Sequence, residues 1–161
     1  DTANPTQLLN GKVFSLLVPS GSDIKKAIAD GIVENLKSAQ VTVNITEVSP
    51  DEFEAAVKSG EYDLYLGETA ISRTMDPTFL YKTGGSMNYF GFSDEEFDAA
   101  YERLRNGEIS LSDYLSAFSE KMPLIPVVFR KNVMYCDKNI TGFSDMSPWN
   151  SFGNFMAVKL T

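Results

Sequence analysis

The sequence predicts an α/β fold: a mixed sheet that starts as a parallel β-α-β-α-β unit, with helices on both faces. Two observations predict it. Apolar segments of strand length alternate with segments of helical period between Lys12 and Gly67. The turns between them are short, so each strand–helix–strand step becomes a right-handed crossover that returns the chain parallel to where it began.

Taken in order, Lys12 to Val18 (KVFSLLV) is a mostly apolar strand ended by Pro19-Ser20-Gly21-Ser22. Ile24, Ala27, Ile28, Ile32 and Leu36 then recur at three-and-four spacing, which predicts an amphipathic helix with Ser22 as its N-cap and Asp23 favourable in its first turn. Val41 to Val48 alternates apolar and polar residues with period two, the pattern of a strand. Ser49-Pro50-Asp51-Glu52 reads as a helix start, with serine at the cap, proline at the first helical position and Glu52 reaching back. Phe53, Ala56 and Val57 give that helix its apolar face, and Gly60 stops it. Asp63 to Gly67 is the third strand. The three strands end at Pro19, Ser49 and Gly67, so the loops that follow them share one rim.

Beyond the rim, Ser93-Asp94-Glu95-Glu96 predicts a second capping box, opening a helix through Phe97, Ala100, Tyr101 and Leu104 that closes at Asn106-Gly107. Ser110 caps a further helix through Leu111, Leu115 and Phe118, stopped by Met122-Pro123. Leu124 to Phe129 and Asn132 to Cys136 read as strands, with Pro126 marking an edge or a bulge. A corner at Ser147-Pro148-Trp149-Asn150 precedes a last strand, Asn154 to Leu160. Internal repeats and an interdomain linker are absent from the sequence, and 161 residues suit one domain.

Composition narrows the functional classes. A net charge of −8 disfavours nucleic acid and anionic membrane surfaces as partners, because both would repel the chain. Its basic residues are scattered, with Lys25-Lys26 and Arg130-Lys131 the only adjacent pairs. Without a histidine, a histidine base and a Cys–His nucleophile are excluded, and a zinc-type site is disfavoured. The single cysteine, Cys136, allows no internal disulfide and reads as a buried strand residue. The longest apolar run is far too short to cross a bilayer, and DTANPTQLLNGK lacks the basic-then-apolar order of an export signal. No cofactor, metal site or catalytic group is expected.

The stretch from Glu61 to Tyr101 is the candidate site, because long structured loops in compact domains are usually functional and this one leaves the end of a strand. Glu68 follows the third strand at once, and Asp76 stands further along before Pro77. Two rim carboxylates suit either an acid–base pair or the capture of a cationic group, while Asp76-Pro77 also has a plain turn explanation. Thr83 to Phe90 combines flexible backbone with amphipathic side chains, which suits a ligand wall; within it Asn88 and Tyr89 are the polar candidates, while Phe90 and Phe92 suit a satellite core. Pro19 to Ser22 offers free N–H groups at a helix start, but without the lysine and glycine spacing of a P-loop it reads as a cap.

The run VTVNITEVSPDEFEAAVKSGEYDLYLGE resembles the C-terminal lobe of the family 5 extracellular solute-binding proteins, which serve ABC importers of dipeptides, oligopeptides and nickel chelates. DPTFLYKTGGSMNYFGFSDEEFDAAY is similar to the family's DP-x-x-FL, G-G-S-x-N-Y and FDa segments, and MPLIPVVFRKNVMYCDKNITGF to its late P-x-IPL strand pair and following Gly-Phe. The resemblance implies a periplasmic-binding-protein-like (type II) lobe over residues 1–161, with the partner lobe, signal peptide and lipid-attachment cysteine outside this chain. It also implies an extracytoplasmic protein, on the cell surface as a lipoprotein or in the periplasm, that performs no chemistry. Its partners would be a peptide or related small solute, its own N-terminal lobe and ABC permease subunits, with the membrane reached only through a lipid anchor. One departure stands out. Peptide-binding relatives carry a tryptophan and an aspartate after the third strand, where this chain reads Gly67 to Arg73, GETAISR. Glu68 stands in for the amine anchor, whereas Arg73 favours an anionic ligand. The expected ligand contacts are therefore Glu68, Thr69, Arg73, Asp76, Asn88 and Tyr89. Two other classes stay open: a small hydrolase or transferase using Glu68 and Asp76, and a stand-alone interaction domain meeting another protein through Tyr89, Phe90 and Trp149.

Overall fold

β1, Val13–Pro19, is the strand on which the first half of the chain is assembled. In the computed structural model, which describes residues 9–71, 74, 76–130, 135–142 and 155–160, it pairs in parallel with both of its neighbours. β2, Thr42–Val48, runs beside it from Val13↔Thr42 to Pro19↔Val48, and β3, Leu64–Tyr65, meets it at Leu16↔Leu64 and Leu17↔Tyr65. The strand order is β2-β1-β3. Leu16, Leu17 and Val18 point alternately to the two faces, yet all three are at most 5% exposed. Both faces of the sheet are therefore covered. Leu16 and Val18 pack with Val41, Val43 and Leu66 against Ala29, Ile28 and Ile32 of α1, Asp23–Ser38.

Local chemistry explains the boundaries. The Ser22 hydroxyl accepts from the Lys25 N–H at the start of α1. α2, Pro50–Ser59, has proline in its first turn, and Gly60 closes it in the left-handed region at φ 71. Its start departs from the expected capping box: the Ser49 hydroxyl donates to the Glu52 carboxylate at 2.6 Å instead of capping the backbone. β3 is shorter than the predicted Asp63 to Gly67. At Asp63 the pairing with β1 passes to side chains, because its carboxylate accepts from the Ser15 N–H at 2.7 Å and the Ser15 hydroxyl at 2.8 Å.

The chain divides into two compact units, Asp1–Ala70 with Gly84–Phe92, and Ile71–Thr83 with Ser93–Thr161. The second holds a 3-10 turn at Thr78–Leu80 and two helices, α3 at Glu95–Arg105 and α4 at Leu111–Lys121. Asp94, not Ser93, caps α3: its carboxylate accepts from the Phe97 N–H at 2.9 Å and also pairs with Lys121 at the end of α4, at 2.6 Å. A serine in that position could make only the first bond. Ser110 and Asp113 form the expected reciprocal box on α4. Between the helices lies an aromatic core. Phe97, 2% exposed, stacks on Tyr114 at 5.6 Å and meets Tyr81 at 5.7 Å. The buried Tyr81 and Tyr114 hydroxyls share a 2.8 Å hydrogen bond, and burial raises the ionisation of both phenols above the ordinary tyrosine value.

The later strands differ from expectation. Leu124 to Phe129 forms no ladder: Ile125 is 70% and Phe129 85% exposed. Pro123 and Pro126 offer no N–H, and no described strand lies alongside. Of Asn132 to Cys136, residues 132–134 lie outside the described residues; Tyr135 and Cys136 are in no strand, and Cys136 is exposed rather than buried. The Ser147 to Asn150 corner, with Trp149, also lies outside them. The predicted last strand resolves into a 3-10 turn at Phe155–Ala157 and the short β5, Lys159–Leu160, antiparallel to β4, Ile140–Thr141. Gly142 follows β4 at φ 88, so close to the Ala157 carbonyl that a Cβ would collide with it.

Replacing Phe97 by alanine is expected to cost about 3–5 kcal/mol of stability, read from urea unfolding, because the enclosed site cannot collapse around the loss. Tyr81→Phe and Tyr114→Phe should each cost about 1–3 kcal/mol by stranding the other hydroxyl, and the double variant should cost less than the sum of the two. Additive losses would show that the two hydroxyls do not depend on one another.

Candidate functional site

Because β1, β2 and β3 are parallel, their C-terminal ends open on one edge, where such sheets place ligands. The loop after β1 continues the ladder by one bond, from the Ser20 N–H to the Val48 carbonyl at 2.7 Å. It then borders a shallow depression of about 160 Å³ lined by Ser20, Gly21, Ser22, Lys26 and Glu47 among others. That is room for a few water molecules or a small ion rather than for a chain.

The loop after β3 carries Glu68 and Thr69, both exposed. Lys25, in the first turn of α1, reaches across to place its Nζ 3.2 Å from the Glu68 Oε2. Lys25 comes from the start of the helix that follows β1 and Glu68 from the loop that follows β3, so the ion pair bridges the rim. Sequence reading missed Lys25. The only trace of it was the adjacent pair Lys25-Lys26, and the pairing partner lies more than forty positions away.

The segment Gly84–Phe92 joins the same unit. Tyr65, the last residue of β3, holds it: its ring lies 5.1 Å from Phe90 and edge-on to Tyr89 at 6.5 Å, with Tyr62 and Phe53 on its other sides. Burial, the largest cause, raises the Tyr65 phenol above its ordinary value. Tyr89 is half-buried, with the Lys58 ammonium 5.9 Å from its ring centroid. The Thr69 hydroxyl faces the Met87 sulfur at 3.9 Å. Asn88 closes a turn, since its amide donates to the Phe92 carbonyl at 2.7 Å and accepts from the Phe92 N–H at 3.0 Å. The fold thus gathers Glu68, Thr69, Asn88 and Tyr89 into one unit, with Lys25 and Met87 added.

Asp76 belongs to the other unit. Its carboxylate accepts from the Thr78 hydroxyl at 2.6 Å and the Thr78 N–H at 3.0 Å, opening the 3-10 turn. The Thr78 hydroxyl is the main cause that holds this carboxyl below its ordinary value, with the Thr78 N–H, the Tyr101 hydroxyl and the Arg105 charge adding to it. Tyr101 is in turn pushed up to about 12, chiefly by burial and then by Asp76. A general acid needs the opposite shift at its carboxyl. Arg73 lies outside the described residues. Among those residues, no group of three or more His, Cys, Asp or Glu side chains is placed to hold a metal, and no helix is long and apolar enough to cross a membrane.

No family model and no curated protein matches the chain. Solved structures do. AppA from Clostridium difficile superposes with a TM-score of 0.73 at 20% identity, over 93% of this chain and 34% of that one. OppA from Haemophilus influenzae, in complex with RPPGFSPFR, gives 0.67 at 13% identity over 92% of this chain and 31% of that one. NikA from Staphylococcus aureus, in complex with Ni(L-His)2, gives 0.55 at 18% over 70% and 26%. The likeness is one of fold: α/β, of the periplasmic-binding-protein type. The chain spans about a third of the length of AppA and of OppA.

Because the Asp76 carboxyl titrates below the ordinary value of 3.8 in the folded chain, it stabilises the fold above that value and the contribution is lost as pH falls through the folded value. Asp76→Asn should therefore lower stability at neutral pH and flatten the acid limb of the urea midpoint below about pH 4. An unchanged acid limb would remove this role.

Proposed function

We propose that the chain is a ligand-binding lobe of an ABC importer's solute receptor, taking a peptide or related small solute and performing no chemistry on it. The observation that carries the reading is the rim after β3. An exposed carboxylate, Glu68, stands there in one unit with a returning segment that supplies Met87 and Tyr89, on a fold matched over 93% of its length by AppA. OppA is solved with a peptide on it, and NikA with a nickel–histidine complex.

In this reading Glu68 anchors a ligand ammonium, Thr69 and Tyr89 flank it, and Asn88 shapes the wall by holding the loop. The lobe is one part of a longer two-lobed protein that acts outside the cytoplasm, held at the membrane by a lipid and delivering its solute to permease subunits. Leu111 and Leu115, exposed one turn apart on α4, offer an apolar stretch that an N-terminal lobe would cover in this reading. The hydrolase reading loses support: Asp76 is shifted the wrong way for an acid, and Glu68 is paired with Lys25.

The test is NMR titration of the chain with tri- and tetrapeptides up to about 10 mM, a concentration at which even a millimolar ligand saturates most sites. Residues after β1 and β3 and in 84–92 should shift. Glu68→Gln should weaken binding by roughly 10-fold or more, the worth of a hydrogen bond to a charged group. Silence with every peptide would end the peptide reading.

A further inference from the structure

We propose that Lys25 sets the charge preference of the rim, so that the ligand group taken beside Glu68 is a compact zwitterion of the free α-amino acid kind. This rests on the binding reading above and names the chemical class that fills it.

β1 and β3 are neighbours in the sheet, and the loops that leave them are joined by the 3.2 Å contact from Lys25 Nζ to Glu68 Oε2. Lys25 is held at that place because it lies in the first turn of α1, where its own N–H donates to the Ser22 cap. Its neighbour Lys26 borders the depression beside Glu47, the next-to-last residue of β2. Two adjacent lysines thus attend two different strand ends, and of the two it is Lys25 that stands at the carboxylate the binding reading uses.

An ion pair with both side chains partly in water is worth little, so it opens readily for a guest. The pair nonetheless decides which guest enters. A lone ammonium arriving at Glu68 must share the carboxylate with Lys25 and is repelled by it. A lone carboxylate arriving at Lys25 meets Glu68 in the same way. A molecule with ammonium and carboxylate on one carbon satisfies both, its ammonium on Glu68 and its carboxylate on Lys25, with the signs alternating around the group. The termini of an extended peptide separate by up to about 3.5 Å per residue. A peptide therefore engages this pair with one end only.

The experiment is NMR titration of the chain with three small probes: L-alanine, L-alaninamide and N-acetyl-L-alanine. For the natural sequence L-alanine should bind at least fivefold tighter than either of the others. Lys25→Met should reverse this, with alaninamide gaining at least fivefold and alanine losing as much; Lys25→Gln, a polar replacement, should do the same if the methionine variant fails to fold by circular dichroism. The same order of affinities in these variants as in the natural sequence overturns the proposal. So does a chain that ignores L-alanine while still binding trialanine through Glu68, a result that leaves the receptor reading intact. Silence with all three probes and with trialanine sinks both.

Discussion

The parallel pairing of β1 with a strand on either side is the constraint that the rest of the structure depends on. A central parallel strand needs hydrogen-bond partners at both edges and apolar cover on both faces, and Leu16, Leu17 and Val18 supply the apolar half of that demand. The crossovers that bring β2 and β3 back in the same direction must carry helices, which provide the cover. From this follows a single edge where three loops emerge together. Lys25 reaches Glu68 only because the strands before them are neighbours. No feature of either loop alone would bring these two charges together.

The second unit is organised differently. Its helices are fixed at their ends by charge, through Asp94 with Lys121 and the Ser110–Asp113 box. In the middle, stacked rings and a shared phenol hydrogen bond hold them. Rings here satisfy their own polar groups, so a core can form without a sheet to cover. Asp76 belongs to this scaffolding: Thr78 and Tyr101 tie it to the turn and to α3.

The contrast shows what a sequence carries. Where structure is decided within a few residues, the pattern was legible: the three-and-four spacing of α1, the alternation of β2, the proline that opens α2 and the glycine that closes it all stand where expected. The parallel direction of the first three strands was legible too, because short helical crossovers return the chain the same way, whereas their lateral order, β2-β1-β3, was not. What depends on distant partners was not. The apolar run Leu124 to Phe129 has strand composition, but composition says nothing about whether a strand lies beside it, and no described one does. Cys136 was placed inside on the same premise and is exposed. Asp94 displaced Ser93 as a cap because of Lys121, almost thirty residues away. At the candidate site, Glu68 was found from its place after a strand, while Lys25 and the Tyr65 hold on residues 84–92 needed the fold itself.

The excursion of Gly84–Phe92 back into the first unit has a consequence for how the protein is made. Translation delivers the chain from its amino end, at a pace slow enough for early segments to begin folding. The three parallel strands emerge well before the residues that complete their unit. The Tyr65 ring must therefore wait, with only Phe53 and Tyr62 against it, while the stretch 71–83 leaves the ribosome, until Tyr89 and Phe90 arrive to complete its cover. A nascent chain that has emerged only as far as residue 83 would hold a paired sheet with an unfinished surface, a natural place for a chaperone to bind.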